Sequence, residues 1–380
     1  MLKKLVNTSK IPSSILFLVL AVFAFGCWAQ TEEQALQSLR NWARDGKNPP
    51  EEVVAQIESR FAGKRTGALA KLLHAKIKFD NKDFAGAAAL LNSDDFRRLT
   101  TVADHGLLLR GEALQQAGNH SEAMHTLEKL VAEFPDSIRV TEAKLLWADS
   151  AITGGQAARV PDFLRELNNA NSAEALLRTA KAYDAQANSA EALNYYRRTY
   201  FYGAGTDAAK DAEAKLTSLA QPLTPQTAGE ASIRAEKLFI LKNWTVADKA
   251  YADLVTSFPA SLSPAVQLKR LTVLSNVRKG VEAQGTFNAI RASAKEKEEA
   301  YYQLAVAYAR SRMWPDAHRV IEEMRAKFPN GKYTPRAWVD IGMSARDAKN
   351  NVEEQSFLRA AVTNFPNAVE VAGAQFELAW

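Results

Sequence analysis

The stretch from Ala300 to Gly331, AYYQLAVAYARSRMWPDAHRVIEEMRAKFPNG, contains the most regular pattern in the sequence. Apolar residues recur at steps of three and four on both sides of a Trp-Pro-Asp turn, and a Phe-Pro pair closes the pattern. This spacing predicts two amphipathic helices joined by a short turn. Because two helices alone leave an apolar face exposed, the hairpin requires similar hairpins stacked on either side.

Residues at fixed positions of this unit recur along the chain. Small residues are expected where the two helices of a hairpin approach closely, and larger apolar residues between hairpins. Proline is expected where the second helix ends, because it cannot donate the next backbone hydrogen bond. The residues predicted to pack or end the repeats are Gly111, Ala123, Pro135, Ala180, Tyr183, Ala192, Tyr196, Ala235, Ala247, Tyr251, Pro259, Leu304, Ala305, Tyr308, Ala317, Ile321, Pro329, Trp338, Gly342 and Pro366.

The repeats predict an all-α fold, a right-handed superhelix of stacked helical hairpins in two lobes. Residues 30–220 form the predicted first lobe and residues 229–380 the second, because two prolines in Gln221–Thr227 prevent a continuous helix between them. In the last complete hairpin Glu354 stands where the other repeats have alanine, which predicts looser packing. Residues 373–380 are expected to form the first helix of a further repeat, so we expect the sequence to be truncated.

Residues 1–29 have the features of a signal peptide. Lys3 and Lys4 precede an apolar core too short to span a membrane, and small residues follow it. Cleavage after Ala29 and lipidation of Cys27 are the two alternatives. We therefore expect an exported protein in the periplasm, anchored to the outer membrane if Cys27 is lipidated. Cys27 is the only cysteine, which excludes an internal disulfide.

Composition and charge are those of an ordinary soluble protein, with 47% apolar and 24% charged residues. The formal net charge of +5 falls to +2 when Lys3, Lys4 and Lys10 leave with the leader. The calculated pI of 9.1 is therefore weak support for nucleic-acid binding, and we predict no nucleic-acid partner. Contact with a membrane is expected only through the signal peptide or a lipid anchor.

Histidines and carboxylates do not form a recognisable catalytic or metal site in the sequence. His120 and His125 lie on either side of Glu122, but residues five apart point about 140° away from each other on a helix. They therefore do not converge on one metal ion. We predict no catalytic residue, no metal and no cofactor within these 380 residues.

Other polar segments are expected to serve structure. Gly154 and Gly155 predict a turn between helices rather than a phosphate-binding loop. The mixed-charge run Lys295–Glu299 predicts a solvated helix face. Asp94 and Asp95 are predicted to cap a helix, because aspartate is favoured at that position.

Taken together, the repeated packing residues resemble the tetratricopeptide repeat, a helical hairpin of about 34 residues. The order of several segments also resembles the N-terminal superhelix of periplasmic soluble lytic transglycosylases. These segments, in chain order, are Tyr195–Tyr202, Ala212–Leu216, Arg234–Phe239, Tyr301–Ala305, Phe328-Pro329 and Phe376–Trp380.

This second resemblance implies an enzyme that cleaves peptidoglycan glycan strands with one glutamic acid, in a domain that follows the superhelix. The signature of that domain is Glu-Ser followed by Gly-Leu-Met-Gln. Glu58-Ser59 imitates the first half, but nothing similar to the second half follows it. We therefore expect Glu58 to be an ordinary solvated carboxylate in an entry helix.

Three functions follow from these observations. In the first, the chain is the non-catalytic superhelix of an exported lytic transglycosylase and positions glycan strands of peptidoglycan. In the second, it is a periplasmic or outer-membrane-associated adaptor without enzyme activity that binds envelope proteins. It then resembles assembly lipoproteins with the same Phe-Pro-Asp-Ser ending as Phe134–Ser137, and binds extended peptides on a concave face. The third is sequestration of a small ligand between the lobes.

Overall fold

A computed structural model describes residues 31–46, 48–291 and 293–379. The predicted signal peptide, including Cys27 and Ala29, lies outside the described residues. Within the described ranges the chain forms 22 α-helices and two 3₁₀ helices and contains no strand. The prediction of an all-α fold built from helical hairpins is confirmed.

The first compact unit contains residues up to Ala170 together with Arg178–Ala192. A 3₁₀ helix, Ala157–Arg159, precedes two short helices where the sequence predicts one second helix for this hairpin. The helices of the first unit are α1 (Glu32–Asp45), α2 (Glu51–Arg60), α3 (Arg65–Asp80), α4 (Phe84–Leu90), α5 (Asp95–Leu99), α6 (Ala103–Gln116), α7 (His120–Glu133), α8 (Val140–Thr153), α9 (Val160–Phe163) and α10 (Arg165–Asn169).

The second compact unit contains Asn171–Leu177 and Leu193–Trp380, so that α11 (Ala173–Ala185) and α12 (Ser189–Tyr202) contribute to both units. The predicted lobe boundary at Gln221–Thr227 stays a prediction; this linker lies inside the second unit. The remaining helices are α13 (Asp207–Ser218), α14 (Ala228–Ile240), α15 (Trp244–Ser257), α16 (Pro264–Asn276), α17 (Gly280–Ala289), α18 (Ala294–Arg310), α19 (Trp314–Lys327), α20 (Thr334–Asp347), α21 (Asn351–Asn364) and α22 (Val371–Ala379), with a 3₁₀ helix at Pro259–Ser261.

The small residues predicted for the hairpins lie at close helix contacts. A Cβ added at Gly111 of α6 would lie 2.5 Å from Leu127 Cδ2 of α7. Most of the other predicted packing residues are buried, whereas Tyr183 is half-buried. The fully or nearly fully buried ones are Ala123, Ala180, Ala192, Tyr196, Ala235, Ala247, Tyr251, Leu304, Ala305, Tyr308, Ala317, Ile321 and Trp338.

Glu354 does not loosen the contact between the helices at Gly342, contrary to the prediction of looser packing. A Cβ added at Gly342 of α20 would lie 2.5 Å from Leu358 Cδ2 of α21, the same distance as in the hairpin of α6 and α7. Glu354 is half-buried, while Leu358 and Phe357 are buried. Glu354 is therefore accommodated without widening the contact between Gly342 and Leu358.

Phenylalanine and proline end the second helix of four hairpins with one backbone geometry. The phenylalanines have φ between −130° and −136° and ψ between 53° and 59°. Such extended values suit a residue that precedes proline, where the helical conformation is disfavoured. The four prolines are exposed, so they stop helices rather than pack between them: Pro135, Pro259, Pro329 and Pro366.

The first helix of eight hairpins is followed, two residues beyond its end, by a residue with positive φ. The backbone N–H groups at and after this residue return to carbonyls of the preceding helix, as in Met313 N–H to the Tyr308 carbonyl at 2.9 Å. This is the Schellman ending of a helix. The residues at this turn position are Lys82, Gly118, Gly155, Ala187, Lys242, Arg278, Arg312 and Lys349.

Candidate functional site

The first helices of three consecutive hairpins in the second unit form a groove. A cavity of about 510 Å³ runs along α16, α18, α20 and the turns that follow them. We call it the arginine groove, because four arginines line it against two aspartates. These charged residues are Arg278, Arg310, Arg312, Arg336, Asp340 and Asp347.

Hydrogen bonds order the centre of the arginine groove. Asp340 Oδ2 accepts from the Tyr302 hydroxyl at 2.6 Å and from Arg336 Nε at 3.3 Å. Burial, followed by the hydrogen bond to Asp340, raises the pKa of Tyr302, so that its hydroxyl stays protonated and donates. Arg310 Nη1 donates to Asn276 Oδ1 at 2.8 Å. These contacts hold α16, α18 and α20 side by side at their polar surface.

The arginine groove carries a surplus of positive charge. Asp340 lies next to Arg336, while Arg278 and Arg312 are exposed and form no ion pair within the described part of the chain. Four arginines against two aspartates leave two positive charges unbalanced along the groove. Such a surface attracts acidic ligands and increases the rate at which they associate.

A second cavity of about 310 Å³ lies at α14, α15 and the start of α16. Its lining is mainly apolar and includes Ile233, Tyr251 and Leu254. At its edge Glu236 is joined to Lys269 of α16, whose Nζ lies 2.6 Å from the carboxylate. The cavity has the size and lining expected for an apolar side chain of a ligand.

Glu58 is not the solvated carboxylate that the sequence predicts. His74 of α3 is buried, with its Nδ1 2.8 Å from Glu58 Oε2 and its Nε2 3.2 Å from Glu51 Oε1, both on α2. Lys78 Nζ lies 2.9 Å from the same Glu51 oxygen. Two carboxylates of α2 therefore contact the same buried imidazole of α3. Glu58 therefore helps to hold α2 against α3.

Two other polar segments also differ from their predictions. Glu298, within the run Lys295–Glu299, is buried and accepts the Tyr333 backbone N–H at 2.5 Å, so this run is not simply a solvated face. Asp94 stands at the start of α5, but its side chain accepts no capping hydrogen bond. Ser93 Oγ instead accepts from the Asp95 N–H at 3.3 Å. Local sequence does not reveal these contacts.

The remaining sequence predictions concern turns and metals. Gly154 and Gly155 form the predicted turn after α8. Where the structure describes the chain, no group of three histidine, cysteine or acidic residues is placed to hold a metal ion, and His120 and His125 lie on α7 without such a group. Across the same residues, every helix is too short or too polar to cross a membrane.

The sequence prediction does not include Arg278, Arg310, Arg312 or Arg336, and Tyr302 enters it only within the segment Tyr301–Ala305. A usable signal does exist, since superposing the repeats by their small residues places Arg278, Arg312 and Lys349 at one turn position. Cations that align in this way predict a charged edge along the stack of hairpins.

Residues 106–137 and 174–200, which cover most of α6–α7 and of α11–α12, match the family model of the tetratricopeptide repeat. The predicted repeat type is therefore confirmed for these two hairpins. No curated protein matches the sequence.

Several solved structures are similar over most of their length. The TPR2AB-domain:pHSP90 complex of yeast Sti1 is 16% identical, with 76% of this chain and 98% of that chain covered and a TM-score of 0.22. A tetratricopeptide repeat protein from Parabacteroides merdae is 13% identical, with 81% and 96% covered and a TM-score of 0.26. The TPR domain of P58(IPK) is 13% identical, with 92% and 98% covered and a TM-score of 0.26.

Proposed function

We propose that this tetratricopeptide-repeat chain is a protein-interaction scaffold that binds an extended acidic peptide of its partner in the arginine groove. The observation that carries the proposal is the positive surplus of the groove, where Arg278 and Arg312 are exposed without an ion pair among the described residues. Helical solenoids bind extended peptides on the surface formed by successive repeats. Charge complementarity then selects an acidic sequence.

The polar floor of the groove fits this role. Tyr302 stacks on Tyr333 with ring centroids 5.5 Å apart, and Arg336 lies 5.8 Å from the Tyr302 ring centroid. Aromatic and arginine side chains are enriched among the residues that dominate protein–protein binding. Because Asp340 already fixes Tyr302 and Arg336, a peptide carboxylate meets groups that need little reordering.

Fluorescence anisotropy with the purified chain tests this function. The probe is a fluorescein-labelled peptide of repeated Glu-Gly-Ser units, and a Gln-Gly-Ser peptide of equal length measures binding without the charge. Arg312→Ser is expected to weaken binding of the acidic peptide. Arg319→Ser on α19 is the control, because it removes an ion-paired positive charge away from the groove. Equal binding of both peptides, or equal losses in both variants, would contradict the proposal.

We also propose that the scaffold works in the cell envelope after export, which the leader residues Lys3, Lys4 and Ile15–Phe25 support. A fusion of residues 1–29 to a reporter that is active only outside the cytoplasm tests export, and Cys27→Ser in the same fusion tests lipidation. Reporter activity that persists without these residues would contradict export by this leader.

Within the envelope, two partners are proposed. As an adaptor, the chain would bind an acidic segment of an envelope protein. The positive charge of the arginine groove favours this partner. The alternative is the superhelix of a lytic transglycosylase that positions peptidoglycan strands, which the order of segments from Tyr195 to Trp380 supports. Sedimentation with purified peptidoglycan distinguishes them, because the alternative requires the chain to pellet with the glycan and the adaptor function does not.

A further inference from the structure

The turn position after the first helix differs between the two units. In the first unit it is occupied in turn by Lys82, Gly118, Gly155 and Ala187. In the second unit every hairpin has a cation there. These cations are Lys242, Arg278, Arg312 and Lys349, with φ of 55°, 61°, 61° and 58°.

This conformation does not require a side chain. Glycine reaches positive φ without the steric cost that other residues meet, and it is the usual residue at this helix ending. The first unit shows that glycine fits here, since Asn119 N–H donates to the Leu114 carbonyl at 2.8 Å around Gly118. Met313 N–H makes the equivalent bond to the Tyr308 carbonyl at 2.9 Å around Arg312. The second unit therefore carries four cations where the backbone favours glycine.

The helix dipole does not explain this choice. Cations are favourable near the carboxyl end of any helix, but they gain this energy anywhere in the last turn, with ordinary negative φ. All four side chains are exposed, and none forms an ion pair within the described ranges. Residues in this strained conformation cluster at functional sites, and in the second unit cations occupy it in four successive hairpins.

The four cations follow one another along the stack. Helix α18 packs directly against both α16 and α20. Helix α14 reaches α16 through the ion pair between Glu236 and Lys269. Packed helices lie about 8–10 Å apart, so Arg278, Arg312 and Lys349, which follow α16, α18 and α20, are expected at about that spacing. Arg278 and Arg312 already line the arginine groove. Lys242 precedes them and Lys349 follows them at the same repeat position.

We propose that Lys242, Arg278, Arg312 and Lys349 form a cationic row that binds an acidic peptide with one carboxylate at every third residue. An extended chain advances about 3.3 Å per residue, so three residues span about 10 Å, which matches the spacing of the row. The inference rests on the proposed function and adds to it the two end cations and the spacing of acids in the partner.

The double variant Lys242→Gly with Lys349→Gly tests the row in the full chain. Both substitutions place glycine where φ is positive, so they keep the fold and raise its melting temperature. Lys82→Gly is the matched control, because it makes the same change at the same turn position in the first unit. The probes are fluorescein-labelled peptides of equal length and charge, with glutamates at every third residue or clustered at one end.

The double variant is expected to bind the every-third peptide about fivefold more weakly than the unmodified chain, and Lys82→Gly to bind it unchanged. The unmodified chain should prefer the every-third peptide over the clustered one. Equal affinity for the two peptides, or unchanged affinity in the double variant, overturns the proposed cationic row. Neither result contradicts the proposal that the arginine groove binds an acidic peptide. If the unmodified chain binds neither peptide, the proposed function itself fails. Binding of heparin or an oligonucleotide in the same assay would then identify a different polyanion as the ligand.

Discussion

Gly111 and Leu127 meet so closely that the first residue has no room for a side chain. A Cβ at Gly111 would lie 2.5 Å from Leu127 Cδ2 and 2.6 Å from Leu127 Cγ. Leu127 is completely buried, so it cannot move into solvent to relieve the clash. The register of the repeat therefore has an energetic basis, because the small residue sets the distance between α6 and α7.

We expect Gly111→Ala to destabilise the first unit by about 1–3 kcal/mol, the usual cost of overpacking a buried contact. Alanine ordinarily stabilises a helix by about 1 kcal/mol relative to glycine, which makes a loss here diagnostic. Gly285→Ala on α17 is the control, since a Cβ there meets nothing within 4 Å. Urea unfolding should show opposite signs for the two substitutions, and a gain in stability for both would refute the packing argument.

Asp104 is predicted to make stability depend on pH. Burial alone would raise the pKa of this carboxyl, but hydrogen bonds from the Ser137 hydroxyl and the His105 N–H, together with the charge of Arg139, hold its pKa below the usual value. An acid whose pKa is depressed on folding stabilises the fold above its unfolded pKa of about 3.9. That stabilisation disappears as pH falls through the folded pKa.

The measurement compares Asp104→Asn with the unmodified chain by urea unfolding from neutral pH downward. The variant should be less stable at neutral pH, and the difference should shrink below about pH 4. Asp162→Asn provides the control, because the Asp162 side chain is 80% exposed. A difference that stays constant down to low pH would show that the aspartate acts through its shape rather than its charge.

Glu58 is predicted to matter for stability and not for binding. Glu58→Gln weakens the contact with the buried His74 imidazole, and we expect a loss of about 1–2 kcal/mol at neutral pH, as for a buried charge-assisted hydrogen bond. Glu52→Gln removes an exposed carboxylate from the same helix and should have little effect. Affinity for the acidic peptide should be the same in both variants, and any glycan cleavage should also be unaltered.

The hairpins were predictable because their information is local. Apolar residues at steps of three and four mark each helix of the stretch 300–331, and the helices found there, Ala294–Arg310 and Trp314–Lys327, follow that pattern. Phe-Pro endings are equally local, since proline restricts the residue before it. Fold class and repeat type therefore depend on short-range rules that one sequence is sufficient to reveal.

Contacts between repeats were not predictable from these rules. Glu298 meets the backbone of Tyr333 across 35 positions, and His74 meets Glu58 across 16. Each contact depends on how the stack brings two charge patterns together, which hydrophobic periodicity does not determine. Glu58 and Glu298 look like surface carboxylates in the sequence, because their partners are distant along the chain.

Arg312 is expected to lower the stability of the second unit and to raise its affinity for the acidic peptide. Its φ of 61° is unfavourable for a residue with a side chain, so Arg312→Gly should stabilise the second unit by about 0.5–1 kcal/mol. The same change removes a cation from the arginine groove and should weaken binding of the acidic peptide.

Gly118→Arg is the reciprocal substitution at the same turn position in the first unit, where it should destabilise by a similar amount. Urea unfolding and fluorescence anisotropy on both variants measure the two effects separately. If Arg312→Gly were stabilising but bound the peptide as well as the unmodified chain, the strain at this turn would have no role in binding.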